Sequence, residues 1–309
     1  MLLNMHKYVV LEKAVGETPL SCAERWRTTQ PDLMGVPLSY AGRLDPMASG
    51  KLLVLIDEEC KNQTTYHGLD KEYEFSVLFG ISSDTQDILG RLRTSSGVAF
   101  ASPTTPTPPY ANTTTDAELD DSRQLSESVR LGLAARSALE ESLSRVISEL
   151  TGPFTFPYPL FSAKTVKGKP LHMWTLEGRL DEIEIPTRTS TIYELELTKI
   201  ETKPRQEVAA IALQKINTIP EVTDPRKAIG ADFRRKDVRA DWQDVATDYS
   251  LPVEYIIAHF RCVASSGAYM RTLATIIAER LGTTGLAYHI HRTKIGHYNF
   301  ENKNWDSEY

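Results

Sequence analysis

Residues 40–50 read Tyr40-Ala-Gly-Arg-Leu-Asp-Pro-Met-Ala-Ser-Gly50 and run directly into Lys51-Leu-Leu-Val-Leu-Ile-Asp57. The second stretch is a continuous apolar run bounded by charge, which predicts a buried strand. The first is its opposite: two glycines, a proline and one carboxylate, Asp45, in a short polar approach to that strand. A loop tied to a core strand can present one carboxylate rigidly. Two readings of Asp45 are open at this point. It is a turn residue whose side chain bonds local amides, or it is a catalytic carboxylate. Arg43 beside it is open in the same way, as an ion-pair partner or a solvated cation.

Working outward, Tyr8-Val-Val-Leu11 predicts a short strand. Thr18 predicts an N-cap with Pro19 at the first helical position, and Leu20, Ala23 and Trp26 follow at helical spacing. Beyond the central strand, residues 58–66 predict a helix carrying Lys61. Residues 71–79 alternate, with Tyr73, Phe75, Val77 and Phe79 on one face, and residues 80–90 form a polar turn region. Residues 94–116, rich in Ser, Thr and Pro, predict an extended surface-loop insertion. Residues 122–150 predict a helix whose apolar stripe is Leu125, Val129, Leu139, Leu143, Val146 and Leu150, stopped by Gly152-Pro153.

Residues 153–180 mix aromatics (Phe154, Phe156, Tyr158, Phe161, Trp174) with Lys164, Lys167 and Lys169. Cations interleaved with aromatics suit a single-stranded or flipped nucleotide; a small hydrophobic anchor with solvated lysines is the plainer alternative. An alternating strand covers residues 192–197. Residues 201–252 then form an insertion that includes a basic helix over 232–242, bearing Arg234, Arg235, Lys236 and Arg239. A core strand over 253–262, a break at 265–272, a short helix over 273–281 and a final strand over 286–292 complete the chain. There is no internal repeat.

With 309 residues, 41% hydrophobic and 25% charged, the chain has ample core for one large domain or two. It contains no run of about 18 apolar residues, so no membrane span is expected. Its first residues are too few and too polar for a secretory signal. Cys22, Cys60 and Cys262 lie far apart, a reduced, cytoplasmic pattern and not a zinc or disulfide framework. The net charge of −6 does not advertise nucleic acid. Any RNA binding must therefore rest on local arrangement.

Arg271 opens a helix after a glycine-bearing loop. It is a surface cation or the buried partner of a carboxylate, which a guanidinium fork matches. His289 and His291 share one strand face, a weak metal site without a third ligand. No nucleophile elbow, phosphate loop or dinucleotide fingerprint is present.

Taken together these segments resemble a known family. Residues 41–53 resemble the Gly-x-Leu-Asp-Pro-x-Ala-x-Gly-x-Leu signature of TruB-type tRNA pseudouridine-55 synthases. Four further segments agree in order. Glu12-Lys-Ala-Val-Gly-Glu-Thr18 resembles the first motif, with Ala14 in place of proline. Lys71-Glu-Tyr73, then Gly80 and Asp84-Thr85, resemble the Lys-x-Tyr strand and the Thr-Asp-Thr turn. Residues 161–171 resemble the loop that inserts into RNA, and Ser266-Gly-Ala-Tyr-Met-Arg-Thr272 resembles the Gly-Thr-Tyr-Ile-Arg-Thr motif. The likeness covers about residues 8–92, 140–200 and 253–298.

The resemblance implies an α+β pseudouridine synthase fold: one catalytic domain over 1–309, with a mixed, mainly antiparallel central sheet and flanking helices. It departs from the pattern in the two insertions and in lacking the usual C-terminal RNA-binding domain. It implies that Asp45 is the catalytic aspartate, that Tyr73 stacks on the target base and that Arg271 pairs with the aspartate. Tyr269 and Ile290 fall on positions lining the uridine pocket, and Tyr40 falls where a substrate-contacting histidine is usual. Lys61, Lys164, Lys167 and Lys169 are candidate RNA contacts, and the basic helix over 232–242 would add to the RNA grip. The implied reaction turns the T-loop uridine of tRNA into pseudouridine with no cofactor and no metal. The implied enzyme is a cytoplasmic monomer that acts on the T-arm, away from membranes and without a protein partner. Two rivals stand beside this expectation: a related synthase acting on another RNA, and a non-catalytic RNA-binding or RNA-folding protein of the same fold.

Overall fold

The computed structural model describes residues 7–94, 121–220 and 235–309. Its elements, in order, are β1 (Tyr8–Lys13), α1 (Pro19–Arg27), β2 (Leu38–Ala41), β3 (Ser49–Ile56), α2 (Gln63–His67), β4 (Asp70–Phe79), β5 (Ile81–Ser83), β6 (Leu92–Thr94) and α3 (Asp121–Leu150). There follow β7 (Gly152–Pro157), β8 (Thr165–Val166), β9 (Lys169–Pro170), α4 (Leu171–Leu176), β10 (Thr187–Pro204), α5 (Arg205–Asn217) and α6 (Arg235–Thr247). The last are β11 (Glu254–Ala264), α7 (Met270–Arg280), β12 (Gly285–Asn299) and β13 (Asn304–Glu308).

One sheet organises these elements, in the order β1-β3-β12-β4-β11-β10-β7, with β2 added to β3 and β13 to β12. Every pairing is antiparallel except β3 with β12. This is the mixed, mainly antiparallel α+β sheet expected. The apolar run after Asp45 becomes β3, whose residues Leu52, Leu53, Val54 and Leu55 are fully buried. Such a strand packs on both faces, which is why it shows no alternation. The alternating β4 buries Phe75, Val77 and Phe79, and Phe75 stacks on Phe260 of β11 at 5.2 Å.

The start of α1 follows its cap. Thr18 accepts from the Ser21 amide at 3.0 Å and Ser21 accepts from the Thr18 amide at 2.8 Å, so two first-turn donors are satisfied. In α3, Leu139, Leu143, Val146 and Leu150 are buried as the stripe predicts. Leu125 and Val129 lie outside the residues whose side chains are described, and residues 95–116 of the Ser/Thr/Pro-rich stretch lie outside the described residues altogether.

Several boundaries move. The strand read over 192–197 runs from Thr187 to Pro204, and its pairing with β11 continues to Pro204 opposite Glu254. Residues 201–204, read as the start of an insertion, thus belong to this strand. After it, α5 and α6 pack together and into the main core through Val208, Ala212, Ile216, Val238, Trp242 and Val245. The helix read over 58–66 is a 3-10 turn (Asp57–Asn62) followed by the short α2. The segment read as a loop over 153–180 is partly regular: β7 is an edge strand of the main sheet with Phe156 buried. Trp174, on α4, donates its indole N–H to the Val166 carbonyl at 3.1 Å.

Candidate active site

The Asp45 loop is the opening between β2 and β3. These strands pair from Leu38 opposite Ile56 to Ala41 opposite Leu53 and then part. The Ala48 amide donates to the Asp45 carbonyl at 2.9 Å, and the Gly16 amide donates to Pro46 at 2.8 Å. Two buried cations hold the loop by its carbonyls. Arg292 of β12 donates Nε to Lys51 at 2.7 Å and Nη2 to Gly42 at 3.3 Å, so one guanidinium spans both ends. Lys13 of β1 donates to Ala48 and, at 3.0 Å, to Ala14. Burial lowers the Lys13 pKa to about 8. Gly50 permits this clamp. It has φ +105°, and a Cβ there would lie 2.3 Å from the Arg292 carbonyl oxygen, so only glycine lets β3 begin beside β12.

Arg271 enters from the first turn of α7 and is buried. Its Nε lies 2.7 Å from Asp45 Oδ2, with the N–H directed off that line, so the contact is a close ion pair and not an aligned hydrogen bond. Nη1 donates to the Thr85 carbonyl at 2.8 Å and Nη2 to Phe161 at 3.4 Å. Burial opposes the guanidinium charge. The Asp45 and Asp87 carboxylates offset this, and the pKa ends above its ordinary value.

A second carboxylate stands behind the first. Asp87 Oδ2 is 3.8 Å from Arg271 Nε. Asp87 accepts from Thr85 Oγ1 at 2.6 Å and from the Leu89 amide at 2.9 Å. Burial raises its pKa to about 6, against the pull of Arg271. Sequence reasoning stopped at Asp84-Thr85 and missed Asp87. The available signal was an aspartate two residues before an amide in a polar turn, the usual side-chain-to-backbone pattern. Lys13 and Arg292 were missed for another reason: a cation on a strand reads as solvated until its acceptors are seen.

Tyr73 and Ile290 lie on the same sheet as the end of the Asp45 loop. Gly50 pairs with Arg292, Arg292 with Tyr73, and Tyr73 with Cys262, one lateral row across four strands. Strands lie about 4.8 Å apart, so Tyr73 starts about 10 Å from the end of the Asp45 loop. Ile290 is buried opposite Phe75. Tyr269 caps α7 and meets Tyr158 edge-on at 5.6 Å. Burial raises the Tyr269 pKa, and Tyr158 and Asp45 add to the rise.

The remaining expected contacts divide. Lys164 lies 5.0 Å from the centre of the Tyr158 ring, beside this group. Lys169 instead pairs with Glu177 at 2.6 Å and covers Trp174, and Lys167 donates to the Glu182 carbonyl at 2.8 Å. Both lysines are engaged within the segment between β7 and β10. Lys61 pairs with Glu58 on the exposed 3-10 turn. Tyr40 packs against the Cys22, Ala23, Leu52 and Val54 cluster beside α1.

In the basic helix, residues 232–234, with Arg234, lie outside the described residues. Arg235 donates to Ile219 at 2.7 Å, and Arg239 donates to Asn217 Oδ1 at 2.9 Å and to Ile216 at 3.4 Å. These two cations bind the C-terminal end of α5, where the helix dipole favours positive charge. Lys236, between them, is exposed. His289 and His291 do share a face, their rings 6.4 Å apart, and no group of three metal-binding side chains occurs among the described residues.

Asp45, 38% exposed, is thus an accessible carboxylate backed by a buried cation. Such a group can attack, or take a proton from, a ribose placed before it. The chain is 25% identical over 267 residues to tRNA pseudouridine synthase B of Caldicellulosiruptor saccharolyticus, covering 82% of this chain and 77% of that one. It is 24% identical to the enzyme of the same name from Syntrophus aciditrophicus, covering 96% of this chain and 64% of that one. A crystal structure of a Cbf5-Nop10-Gar1 complex matches 94% of this chain and 48% of the other at 14% identity, with a TM-score of 0.45. Residues 37–104 and 111–215, more than half of the chain and including both Asp45 and Tyr73, match the model of the TruB family pseudouridylate synthase N-terminal domain, and the chain belongs to that family.

Proposed function

We propose that this chain isomerises the T-loop uridine of tRNA to pseudouridine, with Asp45 as the reacting carboxylate. The observation that carries the reading is the Asp45–Arg271 pair in a chain of this family. A buried guanidinium holds Asp45 in one place, and Asp45 remains open on its other side. The reaction breaks the C1′–N1 bond, turns the detached uracil and joins C1′ to C5. C5 gives up a proton and N1 gains one, so nothing is oxidised or added and no cofactor is needed. Tyr73 holds the loose base by stacking, of order 1–3 kcal/mol. The target base must leave its folded loop to react, and the segment around Phe161 and Lys164 takes the space it vacates.

The enzyme works as a cytoplasmic monomer on the T-arm, without a protein partner. The relatives' names support tRNA as the substrate, and no helix among the described residues is long and apolar enough to cross a membrane. The test is pseudouridine quantified in a tRNA transcript after incubation with wild type and with Asp45→Asn. Product with wild type alone is expected. Product with both removes Asp45 from its role. Product on another RNA and none on tRNA moves the substrate.

A further inference from the structure

The cations around the site are mostly neutralised in place. Arg179 binds Glu177 and Glu182, Lys169 binds Glu177, Arg91 binds Asp241, and Arg261 binds Glu72 and Glu194. Arg188 differs. It is exposed at the start of β10, and its Nη2 donates to the Ser266 carbonyl at 3.1 Å, with Ser266 Oγ at 3.5 Å. Ser190 Oγ donates to the same carbonyl at 3.2 Å. No carboxylate pairs with Arg188 among the described residues.

Its seat is built for it. Gly267 has φ +99°, and a Cβ there would lie 1.9 Å from Arg188 Nε. The missing side chain at 267 is the space that the guanidinium occupies. The seat lies two residues before Tyr269, and Arg188 is close enough to add its charge to the surroundings of the Tyr269 phenol and of the buried Lys71. Met270 opens α7 three residues beyond Gly267, and its N-cap Tyr269 offers no side-chain cap. The helix dipole thus adds positive potential at the same mouth. A fixed guanidinium with free N–H edges, no counter-charge and a helix start beside it is complementary to a phosphate.

We propose that Arg188, seated on Gly267, is the contact for the RNA phosphate adjoining the flipped uridine. This rests on the reading of the chain as an RNA-modifying enzyme.

The test is titration of a T-arm RNA hairpin against wild type, Arg188→Gln, Arg188→Lys, Gly267→Ala and the Arg188→Gln/Gly267→Ala double variant, over a series of salt concentrations. Arg188→Gln is expected to weaken binding about tenfold and to reduce the slope of log affinity against log salt by about 1. Arg188→Lys should restore the slope but not the full affinity, because an ammonium lacks the fork. Gly267→Ala should reproduce Arg188→Gln, and the double variant should be no weaker than either. An unchanged slope in Arg188→Gln, or losses that add in the double variant, overturns the proposal. Pseudouridine formation is read in the same preparations. A wild type without product but with the slope difference intact overturns the functional reading and leaves the phosphate contact standing. Product without a slope difference does the reverse.

Discussion

Arg271 Nε lies 2.7 Å from Asp45 Oδ2, and the same side chain ties two further loops to that carboxylate through the Thr85 and Phe161 carbonyls. One guanidinium thus joins the Asp45 loop, the β5–β6 turn and the segment after β7. Arg271→Lys keeps a charge but offers one nitrogen where three are used. The expected result is a fall in kcat of about 100-fold or more, the scale on which small misplacements act. The check is single-turnover kinetics at saturating tRNA. A variant with wild-type kcat would show that charge alone suffices.

Asp87 supplies a pH signature. Its folded pKa of about 6 stands above the unfolded value of 3.8. Between these values the folded state holds more protons than the unfolded one, so stability falls as pH rises through this window. The full effect is of order 3 kcal/mol. His289 works in the opposite sense. Burial lowers its pKa from 6.5 to about 4, with Lys215, His291 and His259 adding to the fall. Between those values the unfolded state holds more protons, so stability falls as pH drops. The two windows overlap, so the wild-type curve hides both. Asp87→Asn should remain less sensitive to rising pH than wild type between about 4 and 6, and His289→Gln less sensitive to falling pH between about 6.5 and 4. Denaturant midpoints over this range measure it. Parallel curves for wild type and a variant would refute that residue's assignment.

The α5–α6 pair reaches both acid-bearing loops. Trp242 Nε1 donates to Ile88, beside Asp87, at 2.9 Å, and Asp241 accepts from Arg91 and from the Leu92 amide. At its other end, Thr218 packs so closely on Gly16 that a Cβ there would lie 2.5 Å from Thr218 Oγ1, and Gly16 bonds Pro46 beyond Asp45. Trp242→Phe keeps most of the ring packing but leaves a buried carbonyl unpaired, at a cost of about 1–3 kcal/mol. Lower thermal stability together with lower kcat is expected. Asp241→Asn breaks a half-exposed pair and should cost under about 1 kcal/mol. Unaltered kcat in Trp242→Phe would mean that the α5–α6 pair supports the fold without steadying the site.

What the sequence disclosed and what it withheld divide along physical lines. The Asp45 loop, β3, β4 and the cap of α1 were legible because each is specified by adjacent residues. The strand β10 was read at a third of its length, since Lys199, Glu201 and Lys203 look solvated. Its neighbour β11 pairs with their backbone whatever their side chains are. The strand β13 holds a single apolar residue, Trp305, and carried no alternation to find. At the site, Asp45 and Arg271 were legible from their own segments only as separate residues and were paired only through the resemblance, because their meeting depends on β12, β4 and β11 lying side by side. Lys13, Arg292 and Asp87 act from behind, through carbonyls and a shared guanidinium, and nothing local marks a buried charge as paired.

The segment between β7 and β10 makes two lysines distinguishable that the sequence presents as equivalent. Lys164 stands over Tyr158, which meets Tyr269 at the pocket, and no carboxylate pairs with it among the described residues. Lys169 is held by Glu177 and by the face of Trp174. An RNA phosphate would have to displace Glu177 to reach Lys169, while Lys164 is unopposed. Lys164→Ala should therefore weaken tRNA binding and reduce the salt slope by about 1. Lys169→Ala should leave the slope near wild type and loosen the hairpin instead, at a cost under about 1 kcal/mol. Measuring Kd at several salt concentrations beside a thermal melt separates the two. A reduced slope in Lys169→Ala with an unchanged one in Lys164→Ala would reverse the assignment and show that the hairpin reorganises when RNA arrives.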